Sequence, residues 1–321
     1  MWKLPHPCHL ILLMEPVILE LDVAATQHQA RVGRHNLWRR AETYVYMLPA
    51  VLFVVIFLLY PAAYTLYISF TDWDGLTAPQ FVGLENYLQM FKEPVFGTSV
   101  VNTVIWVIVT LLFPVGLGLL LAVFVNRIPL QGFFKAIFYL PYAISATSIA
   151  VIWTYMLAPT GVVNELLSRV GLDALTRPWL LMPPWNTITM LMAFTWQTTG
   201  TNMILFLVGL QSIPTDLIEA AKLDGANGIQ TFRRVILPLL RPITTVVITI
   251  SVVNSFKVFD LIWIMTQGGP FRSSETLAVT MYRESFVSFR LGFGASIANF
   301  LSLIVIVFSI IYLRSIFQPE E

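Results

Sequence analysis

The chain has 321 residues, of which 57% are hydrophobic and only 12% charged, about half the charged share of a soluble domain of this size. A formal net charge of +1, with no long basic run, excludes nucleic acid as the main partner. Cys8 is the single cysteine, so no internal disulfide or thiolate cluster can form.

Residues 1–43 read as a cytosolic, poorly ordered extension. Its "CHLILLMEPVILEL" is apolar but short, and Glu15 and Pro16 interrupt it. With no small-residue cleavage site after it, this stretch is neither a span nor a signal peptide. His6, His9, His28 and His35 all fall before the first span. "HPCH" reads as part of a proline-rich tail rather than a metal site, and none is expected elsewhere.

Residues 44–321 read as a transmembrane domain. Sliding hydropathy marks about six spans, at 46–70, 98–126, 133–158, 187–211, 237–265 and 292–317. Each can cross a bilayer core of about 30 Å. They are expected to be helices, because in lipid each backbone polar group needs an internal partner. The apolar–polar alternation of a transmembrane barrel is absent from the sequence. The expected class is therefore an all-α membrane protein.

Lys and Arg placement sets the expected orientation. Arg31, Arg34, Arg39 and Arg40 precede span one, Arg127 and Lys135 lie between spans two and three, and Lys222, Arg233, Arg234 and Arg241 lie between spans four and five. The opposite loops hold fewer: Lys92, then Arg169 and Arg177, then Arg272, Arg283 and Arg290. Both termini and the loop at 212–236 are expected in the cytosol. In the first outer loop, Asp74-Gly75 and Ala78-Pro79 signal turns. The second, "PTGVVNELLSRVGLDALTRPWLLMPPW", reads as a short amphipathic helix closed by the interfacial Trp179 and Trp185.

Span four contains "FTWQTTGTNM". Thr195, Gln197, Thr198, Thr199, Thr201 and Asn202 gather polar groups around an expected kink at Gly200. Each threonine alone is expected to bond its own helix. Together, with Trp196 and Tyr155 for stacking, they suit a neutral polyhydroxylated solute.

The stretch "EAAKLDGANGIQTFRRVILPLLRP" lies between spans four and five. Pro214 and the Asp216–Glu219 spacing mark a helix start. Leu217, Ala220, Ala221 and Asp224 fall on adjacent helical positions, and Gly225 ends the helix. Phe232, Val235, Ile236 and Leu239 then mark a second helix, with a bend expected at Pro238 and Pro242. The small-residue surface and projecting Glu219 suit docking into a cleft of another protein. On the residues alone, a helix-capping role for Glu219 and an ordinary interfacial helix stand beside that reading.

In span five, "SVVNSFKVFDLIWIMTQGGP", Lys257 and Asp260 are three apart and can pair on one helical face, with Asn254 one turn away. Charged groups inside a span are costly, so this pair is either a structural bridge between helices or a solute contact. Gly268, Gly269 and Pro270 let the chain leave the membrane sharply, with gate geometry as a further suggestion.

Glu219-Ala220-Ala221, then Gly225, then Leu237-Pro238 resembles the EAA loop of permease subunits of binding-protein-dependent ABC importers. Val235 stands where that family usually has Ile. "LYPAAYTLYISFTDWDG", "FVGLENY", "LPYAISATSIAVIWTYML", "GLQSIPTDLIEAAKLDGA" and "FDLIWIMTQGGP" are similar to its carbohydrate-uptake branch, of the maltose- and glycerol-phosphate-type first permease subunit, over about 44–317. The resemblance implies a type I importer permease fold in a prokaryotic plasma (inner) membrane. It makes Glu219, Ala220, Ala221, Asp224, Gly225, Leu237 and Pro238 an ATPase-coupling element. Asp260, beside Phe259, stands at the family's Phe-Asp position. Gln197, Asn202, Asn254, Lys257, Asp260 and Tyr155 become candidates for the solute path.

No Gly-x-x-x-x-Gly-Lys-Ser/Thr sequence occurs. The family picture supplies ATP and Mg binding through two copies of a separate ATPase subunit, with a second, related permease and an extracytoplasmic solute-binding protein as further partners beside membrane lipid. No catalytic residue and no cofactor of its own are expected. The rival from another class is a secondary transporter or channel, which would carry intramembrane ion relays or paired broken helices.

Overall fold

A computed structural model describes residues 45–316 of the chain; the expected extension at 1–43 lies outside them. The chain divides after Tyr64 into two compact units. Of the first, residues 45–64 are described: they are helical, with a widened π turn at Val55–Leu59, and their side chains are exposed. They open the first span, Val45–Ile68.

The second unit, from Thr65, holds the remaining spans. A two-residue hairpin, Thr71–Asp72 against Gln80–Phe81, follows the first span in antiparallel register. The expected turn at Asp74-Gly75 is present. The Asp74 carboxylate accepts the Thr77 N–H at 2.8 Å, the Leu76 N–H at 2.9 Å and the Thr77 hydroxyl at 2.8 Å. These bonds, that from the Thr77 backbone foremost, hold its pKa down at about 2. A short helix, Glu85–Lys92, leads into span two, Pro94–Val125. That span widens into a π turn at Leu111–Val115 around Pro114, where the ring removes a backbone donor.

Span three departs from expectation. Instead of one straight rod at 133–158, Gln131–Ala143 and Ala146–Met156 meet at 91°. Pro141 sits in the last turn of the first piece, and Ser145 caps the second by accepting the Ser148 N–H at 3.2 Å. Span four is one unbroken helix, Trp185–Gln211. The helix continues through Gly200 without a break, and a Cβ there would fall on the carbonyl oxygen of Phe138. Glycine at 200 lets the helix Gln131–Ala143 lie directly on span four. Gly200→Ala should therefore force the two helices apart and cost about 1–3 kcal/mol. Purified variant and native protein melting at the same temperature would contradict this close approach.

Span five runs Arg241–Thr266 but breaks at Lys257, so that Arg241–Phe256 and Asp260–Thr266 are separate helices. Span six is Leu291–Ile316. Among the described residues, four helices are long and apolar enough to cross a bilayer, or up to six if each bent pair counts as one span. The expected all-α membrane fold is present.

Two apolar clusters hold spans two, four and five together. One gathers Trp106, Met190, Phe194, Leu261 and Ile262. The other gathers Ala122, Met203, Phe206, Leu207, Leu240 and Val247. It also takes in Ile213 and Ile236, which ties the core to the loop between spans four and five.

Candidate functional site

The loop between spans four and five folds as two short helices. Thr215–Leu223 turns 73° away from the axis of span four. Pro214 precedes it in an extended conformation. Asp216 occupies the first turn, where a carboxylate complements the helix dipole, but no side chain caps this start. The expected Asp216–Glu219 cap is thus corrected: the cap position falls on Pro214, two residues before Asp216, and Glu219 is exposed.

The C-terminal end is built on Gly225, whose φ of +83° lies in the left-handed region. The Ala226 N–H donates to the Ala221 carbonyl at 3.0 Å, and the Gly225 N–H to the Lys222 carbonyl at 3.0 Å. This pair of bonds is the Schellman arrangement, which satisfies the last carbonyls of a helix. Asn227 then opens the second helix through a reciprocal cap. Its side chain accepts the Gln230 N–H at 2.9 Å, and the Gln230 side chain accepts the Asn227 N–H at 2.8 Å. A π turn follows at Phe232–Ile236, just before Pro238, whose ring would otherwise press on the carbonyl of Arg234.

Burial divides this element into two surfaces. Ile213, Ile218, Phe232, Ile236 and Leu240 join the cluster of spans two, four and five. Glu219, Ala220, Asp224, Gly225, Leu237 and Pro238 are exposed, and Ala221 is half-buried. Leu217 is 45% exposed, Leu223 89% and Ile229 72%. The element is rigidly capped, fused to the core on one side, and on the other exposes apolar side chains among the carboxylates of Asp216, Glu219 and Asp224.

The candidate path residues separate into groups. Asn202 is buried; its Oδ1 accepts from the Ser251 hydroxyl at 3.4 Å, and Gly118 packs onto its Cβ. It therefore packs spans two, four and five together. Gln197 is nearly buried in span four. The Thr198 and Thr199 hydroxyls donate to their own helix, at 2.8 Å to Phe194 and 2.6 Å to Thr195, as expected for threonine. Tyr155 is 74% exposed, and its helix packs against Asp260–Thr266.

Asn254, Lys257 and Asp260 are all exposed. No ion pair joins Lys257 to Asp260 among the described residues. The pairing assumed a continuous helix, and the break at Lys257–Phe259 removes it. Among the described residues, no hydrogen bond or ion pair holds the side chains of Asn254, Lys257 and Asp260.

Gly268, Gly269 and Pro270 do turn the chain out of span five. Gly268 has φ +80°, and a Cβ there would fall on the Glu275 side chain. The turn is clamped. Asn186 donates to the Gly269 carbonyl at 2.9 Å, and Asn102 donates to the Ser273 and Glu275 carbonyls at 2.8 Å each. Sequence reasoning missed what lies beneath. Glu275 is wholly buried and accepts a bidentate pair of bonds from Arg272 at 2.9 Å, one from Arg283 at 2.6 Å and one from the Thr280 hydroxyl at 2.9 Å. Glu284 accepts from Arg272 at 3.1 Å and Arg290 at 3.3 Å. In the sequence, the three-residue spacing of Arg272 and Glu275 is the one local signal of this cluster.

A cavity of about 680 Å³ lies among spans two, three and four, lined by Phe113, Leu117, Phe138, Leu191 and Trp196. Its lining lacks the convergent polar groups that a sugar site needs.

Comparison with known proteins decides the class. The family described as binding-protein-dependent transport system inner membrane component matches residues 114–320. The chain belongs to this family. A probable ABC transporter permease protein of Pyrococcus horikoshii is 35% identical over 86% of this chain and 96% of its own length. AmyD of Thermoanaerobacterium thermosulfurigenes, a probable permease of a starch degradation products transport system, is 31% identical over 88% of this chain and 95% of its own. Among solved structures, the permease resembles a chain of a bacterial alginate ABC transporter in complex with its alginate pentasaccharide-bound periplasmic protein. The TM-score is 0.76, the identity 25%, and the match covers 86% of this chain and 94% of the other. The chain is a membrane-spanning permease subunit of a binding-protein-dependent ABC importer, as the resemblance in its loop implied.

Proposed function

We propose that the permease forms half of a path for a sugar or oligosaccharide and is driven by a separate ATPase seated on the helix Thr215–Leu223. The observation that carries this reading is the exposure of Leu217, Glu219, Ala220 and Leu223 on a helix joined through Ile213, Ile218 and Ile236 to the packed core. An exposed apolar patch of this kind marks a protein–protein contact. In the complete importer, two ATPase copies bind ATP and Mg, a second permease completes the path, and an extracytoplasmic binding protein delivers the solute. The Lys and Arg bias supports a cytosolic position for this loop and both termini. The sugar assignment draws on the starch-product relative and the alginate importer. A strain lacking the gene should lose uptake of one member of a panel of labelled sugars; undiminished uptake of all of them would remove the sugar assignment.

Asn254, Lys257 and Asp260 are the candidates best placed to face the path, since they are exposed and no side-chain bond holds them among the described residues. Asn254→Ala is expected to raise the half-saturation concentration for uptake by about 2–10-fold, the worth of one lost hydrogen bond. Asn202→Ala should instead lower thermal stability and leave solute preference unchanged. Unaltered affinity and selectivity in Asn254→Ala would take that residue off the path. The rival reading as a secondary transporter or channel rested on the Lys257–Asp260 pair, which is not formed.

A further inference from the structure

The helix Glu85–Lys92 carries three distinct stripes. Asn86 and Met90 are buried, and Met90 packs with Leu277, Phe293 and Ile297. Glu85, Gln89 and Lys92 form an exposed polar stripe. Leu84, just before the helix, with Leu88 and Phe91 forms an exposed apolar stripe, at 62%, 62% and 65%. At 3.6 residues per turn the apolar stripe is centred about 100° from the polar one and about 150° from the buried one. A helix lying along a bilayer surface against its own protein needs this division: one side to protein, one to water and one to lipid.

Position and continuity identify what covers the apolar stripe. The helix ends two residues before span two begins at Pro94. Span two has 32 residues, about 48 Å of helix, which exceeds a hydrocarbon core of about 30 Å and puts its start at the headgroup level. The Phe91 ring contacts Phe96 and Phe300 at centroid distances of 5.4 and 5.8 Å. From Phe300 the stripe continues down span six through Leu303, Val307 and Ile310, exposed by 58%, 45% and 46% and spaced three and four apart. The apolar surface of the short helix is thus an extension of a membrane-facing surface. Its attachment is rigid: Asn86 donates to the Ser69 and Thr71 carbonyls at 2.9 Å each, and the start of span six packs on Thr71.

We propose that Glu85–Lys92 lies in the leaflet opposite the coupling loop, with Leu84, Leu88 and Phe91 among phospholipid acyl chains at the headgroup boundary. It thereby anchors the outer ends of the neighbouring spans to the membrane surface. The proposal does not depend on which solute is carried. The test uses the full importer complex with Cys8→Ser in the permease, reconstituted in phosphatidylcholine–phosphatidylglycerol nanodiscs. Single Leu88→Cys and Gln89→Cys variants carry a bimane label, with Leu84→Cys in reserve if Leu88→Cys does not assemble. Phosphatidylcholine with a nitroxide at the fifth acyl carbon should quench the label at 88 at least twofold more than the label at 89, and aqueous iodide should show the opposite order. The proposal falls if iodide quenches both labels equally. It falls also if the label at 88 is shielded from both quenchers, which would mean a protein covers it. Shielding that appears only when loaded binding protein is added would assign the stripe to that partner instead.

Discussion

Gly225→Val is expected to cut solute uptake at least tenfold while the permease still assembles in the membrane. No atom stands within 4 Å of a Cβ at this position, so the effect is conformational rather than steric. A β-branched residue at φ +83° costs upwards of about 1–2 kcal/mol. The chain relieves that strain by giving up the two bonds from Ala226 and Gly225 that close the helix. Once they are lost, Thr215–Leu223 is no longer rigidly joined to Phe232, Ile236 and the core. The partner ATPase should then keep its basal hydrolysis but lose stimulation by loaded binding protein. Gly225→Asn serves as the counterpart, because asparagine tolerates left-handed backbone, and should retain most of the uptake. Native uptake and native stimulation in the valine variant would show that this turn does not carry the work of the ATPase.

The second large effect belongs to Glu275→Gln. The substitution keeps the volume but removes the charge facing Arg272 and Arg283, whose side chains are only 31% and 22% exposed. Breaking a buried ion pair from one side costs about 3–5 kcal/mol, because the partner charges stay behind. A loss near the lower end is expected, since Glu284 still binds Arg272. The thermal midpoint of the purified permease should fall by several degrees. Arg290→Gln, at a side chain 38% exposed, should cost about 1 kcal/mol or less. Equal melting of Glu275→Gln and native protein would mean that the clamp over span five is held by Asn102 and Asn186 alone.

What the sequence disclosed, and what it concealed, follows from the range of each interaction. Hydropathy is summed over a span, so spans two, four and six were placed within a few residues. The turn at Gly225 was legible because a left-handed helix end has a local composition. The close approach at Gly200 was not legible, since a missing Cβ serves a bend and a close approach equally well, and only the path of Phe138 reveals the second. Lys257 and Asp260 were paired on the rule for an unbroken helix, and nothing in Val258-Phe259 announces the break between them. The cluster of Glu275 with Arg272 and Arg283, and of Glu284 with Arg272 and Arg290, depends on a loop folding back on itself, which spacing alone does not specify. Asn202 looked like a solute contact because it is polar within a span, but the neighbouring Gly118 turns it into a packing residue.

The central claim is that the permease has no driving force of its own and is moved through the loop between spans four and five. The most direct measurement is solute uptake by proteoliposomes that hold the permease pair, with and without the ATPase subunits, internal ATP–Mg and loaded binding protein. The account predicts accumulation only when all components are present, in a fixed ratio to ATP hydrolysed, with that ratio collapsing in the Gly225→Val variant. Full-rate accumulation by vesicles that contain the permease but no ATPase would contradict it.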